Sequence, residues 1–217
     1  MFRQAGAIVC LVVCGACAQV ALVSVTPIVA ALARNFDQRT ARAIAELDQK
    51  QDWPGMLALA QGQLQRLPDS SEWWALRGYA LARQGQHAAA VESYRRALRL
   101  SPEDENTWLA LGQTQSDAGD DAEAIKAYKQ ALRYRPESAP AYLALADLYL
   151  RRGEPDLALP NYRESVRYEP ELEPGWIGLA TAYQATGQFE RRDQALLALR
   201  KLDAAAAERL EKQFRPN

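Results

Sequence analysis

The chain has 217 residues, of which 48% are apolar and 24% charged, and these near-average fractions argue against wholesale disorder and against a membrane protein with several spans. With 26 Lys and Arg against 27 Asp and Glu, the formal net charge is -1, which provides no basic surface for phosphate contacts, so we expect no nucleic-acid partner. One His and no Cys beyond residue 17 leave too few side chains for a zinc site or a Cys–His nucleophile pair, and we expect neither a catalytic centre nor a cofactor.

The first predicted element is an uncharged segment, residues 5–33, which lies between Arg3 and Arg34. A helix of this length could cross a hydrocarbon layer about 30 Å thick, so we expect a signal anchor that holds the protein in a membrane. Two other interpretations stay open. Cleavage after a small-x-small triplet, at residues 16–18 or 31–33, would release an exported soluble form, and Cys17 offers a site for lipid attachment.

The orientation of this segment is predicted from its flanks. Basic residues lie on both sides, with Arg3 before the segment and Arg34, Arg39 and Arg42 after it, so their distribution does not decide the orientation. A very short head before a long tail usually leaves the tail exported, and a tail without Cys is compatible with an oxidising compartment. We therefore expect an inner-membrane protein whose main domain lies in the periplasm.

After this leader, residues of the same type recur every 34 positions, which is the signature of a repeat array. The recurrent residues are Pro68, Pro102, Pro136 and Pro170; Gly85, Gly119, Gly153 and Gly187; Trp74, Trp108, Tyr142 and Trp176; Tyr94, Tyr128 and Tyr162; and Ala90, Ala124 and Ala158. Each unit is predicted to contain two amphipathic helices, because apolar residues recur three and four apart on either side of the glycine. Glycine ends the first helix, proline ends the second, and the small Ala marks a close approach of two helices.

The order of these residues resembles that of the tetratricopeptide repeat family, with an aromatic, Leu-Gly, Tyr, then Ala, an aromatic and Pro over 34 residues. The best-matching unit contains Trp108, Leu111, Gly112, Gly119, Ala124, Tyr128, Ala131 and Pro136. The resemblance implies an all-α fold, a right-handed superhelix of stacked helix-turn-helix units behind the hydrophobic segment.

The register of the repeat predicts where its units begin and end. Residues 34–70 comprise a linker helix and a divergent unit. Four further units occupy residues 71–206, at 71–104, 105–138, 139–172 and 173–206. The last of them is degenerate, because Arg192 replaces the small Ala and Leu196 replaces the aromatic. Residues 203–217 are predicted to form a capping helix, since a stack must end in a polar face.

Two residues depart from the pattern within otherwise regular units. Arg77 occupies a position where the family has Leu, which predicts different packing against the preceding unit. Pro160 falls inside a second helix and is expected to bend it, because proline removes a backbone donor.

Three polar features of the sequence are candidates for a metal site or another functional site, and each has a simpler structural interpretation. His87 is predicted to be an exposed residue at the start of a second helix, and no second His exists as a co-ligand. Asp120 and Asp121 are expected to start a helix rather than to bind a metal. Acidic residues at 169, 171 and 173 are expected to lie in a solvated turn. The sequence therefore predicts a protein without enzymatic activity.

In the tetratricopeptide family the first helices of successive units line a concave groove that binds peptides. The residues placed on this wall by the resemblance are Tyr79, Leu109, Gln113, Leu143, Asp147, Leu150, Arg151, Ile177 and Thr181. An apolar track with a polar rim suits the apolar face of a partner helix or an extended peptide. The alternative is that the aliphatic residues of the track pack within the stack. The Lys and Asn clamp for a terminal carboxylate that some family members have is absent.

The predicted function is that of a protein-interaction scaffold within a multi-protein complex. A membrane segment followed by such repeats is similar to the membrane-anchored accessory subunits of bacterial cytochrome c maturation, which present the apocytochrome for haem attachment. Residues 57–100 carry this similarity, with the runs at 72–76 and 90–94. Scaffolds of other envelope assemblies, for pili, secretion or polysaccharide export, share the same features and remain the alternative.

Overall fold

The recurrent apolar pattern forms helices along the part of the chain that the structure describes. The computed structural model describes residues 36–215, which contain eleven α-helices and no strand. The helices are α1 (Gln38–Gln49), α2 (Trp53–Leu64), α3 (Ser71–Arg83), α4 (His87–Leu100), α5 (Glu105–Asp117), α6 (Asp121–Tyr134), α7 (Ala139–Arg151), α8 (Pro155–Tyr168), α9 (Glu173–Ala185), α10 (Phe189–Leu202) and α11 (Ala204–Phe214).

The predicted signal anchor, with its cleavage and lipidation alternatives at residues 1–33, lies outside the described residues. Within residues 36–215, none of the helices combines the length and the apolar character that a membrane span requires.

The described residues divide into two compact units, residues 36–136 with α1 to α6 and residues 137–215 with α7 to α11. In the first unit α3 packs against α4, α4 against α5, and α5 against α6. In the second unit α7 packs against α8, α8 against α9, and α9 against α10, and α11 follows on α10. The prediction of an all-α fold made of stacked helix pairs is confirmed.

Local chemistry explains where these helices begin and end. The Ser138 hydroxyl accepts a hydrogen bond from the backbone N–H of Ala141 at 3.1 Å, which caps the start of α7. After α5, Gly119 adopts a left-handed conformation with φ of 84°, and its N–H donates to the Ser116 carbonyl at 3.0 Å. The other recurrent glycines, Gly85, Gly153 and Gly187, have the same handedness. The role of these glycines in ending the first helices was predicted from the sequence.

The core is built on the recurrent tyrosines of the second helices. Tyr94, Tyr128 and Tyr162 are almost completely buried, and so are Ala90, Ala124 and Ala158. The Tyr128 ring of α6 lies directly against Gly112 of α5, where an added Cβ would come within 2.5 Å of the Tyr128 Cε1 atom. Position 112 therefore has to be glycine, because any side chain there would collide with the Tyr128 ring of the same helix pair.

Gly112→Ala is expected to lower the free energy of unfolding by about 1–3 kcal/mol, because the new methyl group overpacks the Tyr128 ring. Gly62→Ala is the matched control, since Gly62 lies in α2 with nothing within 4 Å of an added Cβ. The control should gain about 0.5–1 kcal/mol from the helix propensity of alanine. Urea denaturation followed by circular dichroism measures both, and changes of the same sign would contradict this account.

The recurrent Trp and Pro residues are joined by a hydrogen bond that recurs with the same period. The indole N–H of Trp74 donates to the Pro68 carbonyl at 2.7 Å, and the pairs Trp108–Pro102 and Trp176–Pro170 have the same distance. In the unit with Tyr142 in place of Trp, the ring stacks on Tyr168 instead, with centroids 5.9 Å apart. These bonds tie the connecting turn to the helix that follows it.

The two departures from the pattern are accommodated locally. The Arg77 guanidinium donates to the Ser93 hydroxyl of α4 and lies 5.5 Å from the centre of the Trp74 ring. This contact satisfies the cation within its own helix pair. Pro160 is exposed, and α8 continues through it as one helix from Pro155 to Tyr168.

Candidate peptide-binding surface

In the first unit, the predicted wall residues are mostly part of the packed interior. Tyr79 of α3 is buried, and its hydroxyl donates to the Asp48 carboxylate of α1 at 2.8 Å. Burial and this hydrogen bond both raise the pKa of Tyr79. Leu109 of α5 is only 9% exposed. Gln113, one turn further along, is half-buried and donates to the Asp117 carboxylate at 2.7 Å.

In the second unit, the predicted residues divide into a buried and an accessible set. Leu143 and Leu150 of α7 are buried in one apolar cluster, and Ile177 of α9 packs against that cluster while staying half-exposed. Thr181 is buried, and its hydroxyl donates to the Ile177 carbonyl at 2.8 Å.

Two polar residues complete the accessible set of the second unit. Asp147 is half-buried, and Arg151, one turn further along α7, is exposed. Among the predicted wall residues of this unit, Asp147, Arg151 and Ile177 are the ones that are not buried, and we call these three the α7–α9 surface.

Burial of Leu109, Leu143 and Leu150 agrees with the alternative that aliphatic residues of the track pack within the stack. The role of the nine residues in peptide binding stays a prediction. All nine lie on the first helices of their pairs, α3, α5, α7 and α9. Exposure depends on how the following helix packs, which the repeat position alone does not specify.

Asp147 and Gln113, the ninth residues of their units, each contact a recurrent tyrosine, which the sequence analysis did not predict. The Tyr162 hydroxyl of α8 donates to the Asp147 carboxylate at 2.6 Å, and the Tyr128 hydroxyl approaches the Gln113 side-chain oxygen at 3.5 Å. The two partners are 15 residues apart in both pairs. A polar residue 15 positions before the recurrent Tyr was therefore the feature of the sequence that could have predicted this contact.

The electrostatics of this surface centre on Asp147. Burial raises the pKa of the Asp147 carboxyl to about 7, although the hydrogen bond from Tyr162 and the charge of Arg151 both act to lower it. A carboxyl with this pKa changes its charge near neutral pH, and it can pair with a cation of a ligand when ionised.

The polar candidates named from the sequence have structural positions. His87 is half-buried at the first position of α4 rather than exposed, and its Nδ1 atom is buried without a hydrogen-bond partner among the described residues. Asp120 caps α6 by accepting from the backbone N–H of Glu123 at 3.4 Å, as predicted. Among residues 36–215, no group of three His, Cys, Asp or Glu residues is placed to hold a metal ion.

Comparison with known proteins agrees with the repeat geometry. A family model described as a TPR repeat matches residues 78–119. A second model, described as the C-terminal domain of cilia and flagella-associated protein 70, matches residues 103–209. Among curated proteins, none matches the sequence significantly.

Solved structures share the fold at low sequence identity. A crystal structure of the MamA protein is 20% identical, with a TM-score of 0.63 over 76% of this chain and 90% of that one. A second MamA structure gives 20% identity and a TM-score of 0.66 over 75% and 95%. The crystal structure of YrrB, a TPR protein with an unusual peptide-binding site, gives 14% identity and a TM-score of 0.59 over 71% and 90%.

Proposed function

Since the chain is built from tetratricopeptide repeats, we propose that it is a non-enzymatic scaffold that binds a helix or an extended segment of a partner protein through the first helices of its repeats. The observation that carries this proposal is the α7–α9 surface. Half-buried Asp147, exposed Arg151 and half-exposed Ile177 lie on α7 and α9, which pack together, and Leu143 and Leu150 of α7 are buried beneath them.

The chemistry of this surface defines the partner. Ile177 offers an apolar contact, while the carboxyl and the guanidinium on α7 offer one charge of each sign. An amphipathic helix with an apolar stripe and charged flanks satisfies all three groups, because apolar residues three and four apart would reach Ile177 along one face.

The proposal extends to the site of action. We propose that residues 5–33 anchor the scaffold in the inner membrane and that the repeats act in the periplasm on an assembly such as cytochrome c biogenesis. Scaffolding of a pilus, a secretion system or polysaccharide export is the alternative assembly. The support for this part is the uncharged leader, residues 5–33.

Ile177→Glu tests the binding surface in pull-downs with the tagged full chain from detergent-solubilised membranes of the source cells. We expect recovery of the partner to fall about tenfold, because a charge replaces the apolar contact. Leu157→Glu is the matched control, since Leu157 of α8 is 51% exposed and lies outside the α7–α9 surface. Circular dichroism checks that both variants are folded. Equal recovery with the two variants would remove the proposed surface.

The anchor requires a separate experiment. Mass measurement of the native protein distinguishes an intact leader from a cleaved or lipidated one. Protease treatment of spheroplasts should digest the repeats if they lie in the periplasm, and full protection of the repeats would contradict that location.

A further inference from the structure

A pocket of about 300 Å³ lies in the first unit, lined by residues of α4, α5 and α6. Most of this lining comes from the second helices of two successive repeats, and none of the predicted wall residues contributes to it. Its volume is at the lower end of the range for ligand sites in proteins. The pocket therefore suits a single large side chain with its flanking backbone rather than a cofactor.

The floor of the pocket is apolar. Leu98, Leu111 and Ala127 contribute buried side chains. The half-buried Trp108 adds its ring, and the indole N–H is already occupied by the Pro102 carbonyl. The floor thus offers contact to an aliphatic or aromatic group and no free donor from the indole.

The rim of the pocket is predominantly basic. Arg95, Arg99 and Lys126 line it together with one carboxylate, that of Glu123. Lys126 pairs with Glu123, whereas Arg99 is 3.8 Å from the Glu92 carboxylate, at the outer limit of an ion pair. With Glu92 included, three cations face two carboxylates, which leaves a local excess of one positive charge on a chain whose net charge is close to zero.

One buried polar atom in the lining lacks a partner. Gln115 of α5 is 5% exposed, and its Oε1 atom makes no hydrogen bond among the described residues. A buried acceptor left without a donor is costly and uncommon in native proteins. Because this atom is enclosed, a ligand N–H would reach it only after the Gln115 amide turns toward the pocket that the residue lines.

We propose that this pocket binds a short acidic peptide segment of a protein partner, in which an apolar side chain fills the pocket, flanking carboxylates pair with Arg95, Arg99 and Lys126, and a backbone N–H donates to Gln115. The basic rim favours an acidic segment, and the apolar floor favours an apolar side chain. The unpaired Gln115 oxygen favours a ligand with an N–H donor, such as a peptide. This pocket shares no residue with the α7–α9 surface.

The probe is a capped, fluorescein-labelled pentapeptide in which one Leu is flanked on each side by two Glu, and the control peptide carries Lys in place of Glu. With the full chain in detergent at low salt, fluorescence polarisation should saturate with the Glu peptide and stay flat with the Lys peptide, because the rim is basic. In nuclear magnetic resonance spectra, the Glu peptide should shift the indole signal of Trp108.

Variants locate the interaction on the rim and at the acceptor. The double variant Arg99→Gln with Lys126→Gln should weaken binding of the Glu peptide about tenfold, and Gln115→Met about threefold. Arg133→Gln is the matched control, since Arg133 is an exposed cation on α6 outside the pocket, and should leave binding unchanged. Ile177→Glu should also leave it unchanged, which separates this site from the proposed function.

Three outcomes would overturn the proposal. The first is equal binding of the Glu and Lys peptides, the second is an unshifted Trp108 signal, and the third is an equal loss with Arg133→Gln. Vesicles of anionic and of neutral lipids test the competing class of ligand, a lipid headgroup. If the double variant abolishes vesicle binding but not peptide binding, the pocket recognises a lipid headgroup instead.

Discussion

Tyr128→Ala is expected to lower the free energy of unfolding by about 3–5 kcal/mol, the range for removing a large buried aromatic side chain. Tyr128 is 2% exposed, and its ring fills the space between α6 and Gly112 of α5. Because Gly112 has no side chain, α5 has no group at this point that can move into the vacated space. The cavity should therefore persist, and its cost adds to the lost burial.

The control for this prediction keeps the ring. Tyr128→Phe removes the hydroxyl and keeps the ring, so we expect a loss of about 0.5–1.5 kcal/mol, the net contribution of one hydrogen bond. Urea denaturation of the full chain gives both values. Hydrogen exchange should also become faster in α4 and α5, because neighbouring pairs in a stack share stability. A loss confined to α6, or equal losses for Ala and Phe, would contradict this packing.

The fold was predictable because several residue classes share one period. Proline, glycine, tyrosine and alanine each have a separate physical reason to recur, as helix terminator, left-handed cap, core ring and close contact. A single class could recur by chance, whereas their common interval of 34 residues specifies the helix pairs and their order. The recurrence of Gly119 and Pro136 thus predicted both ends of α6.

The site was less predictable, for a reason that Leu150 and Thr181 illustrate. Their repeat positions placed them on the first helices, where family members bind peptides, yet both are buried. A repeat position defines a direction around the helix axis, while exposure is decided by the size of side chains on neighbouring helices. The pocket above Leu111 and Ala127 was missed for the same reason, since its lining comes from three helices.

Hydrogen bonds between helices required the structure as well. The Trp108 and Pro102 positions were both recognised, but their bond depends on the path of the connecting turn. The contact between Tyr162 and Asp147 was likewise hidden in a spacing of 15 residues. Such polar contacts involve one donor and one acceptor each, so they leave no periodic apolar pattern that sequence analysis could detect.

Asp147→Asn is expected to raise the stability of the second unit at pH 8 and to leave it unchanged at pH 4. An aspartate in the unfolded chain has a pKa of about 3.9, whereas burial raises the pKa of Asp147 to about 7 in the folded protein. Between these values the folded state holds a proton that the unfolded state has released, so stability falls as pH rises. The loss is complete above pH 7 and amounts to at most about 4 kcal/mol, from about 1.4 kcal/mol for each pKa unit.

Asparagine is the appropriate replacement because its side-chain oxygen can still accept from the Tyr162 hydroxyl, and it carries no charge at either pH. Fluorine-labelled tryptophan gives a specific signal, since Trp176 is the only Trp after residue 136 and reports unfolding of the second unit in urea at pH 4, 6 and 8. Glu171→Gln, which removes an exposed carboxylate of the same unit, should keep the pH profile of the parent. If the difference in stability between the parent and Asp147→Asn stays constant between pH 5 and 8, folding does not raise the pKa of Asp147, and the α7–α9 surface then carries a permanent negative charge toward its partner.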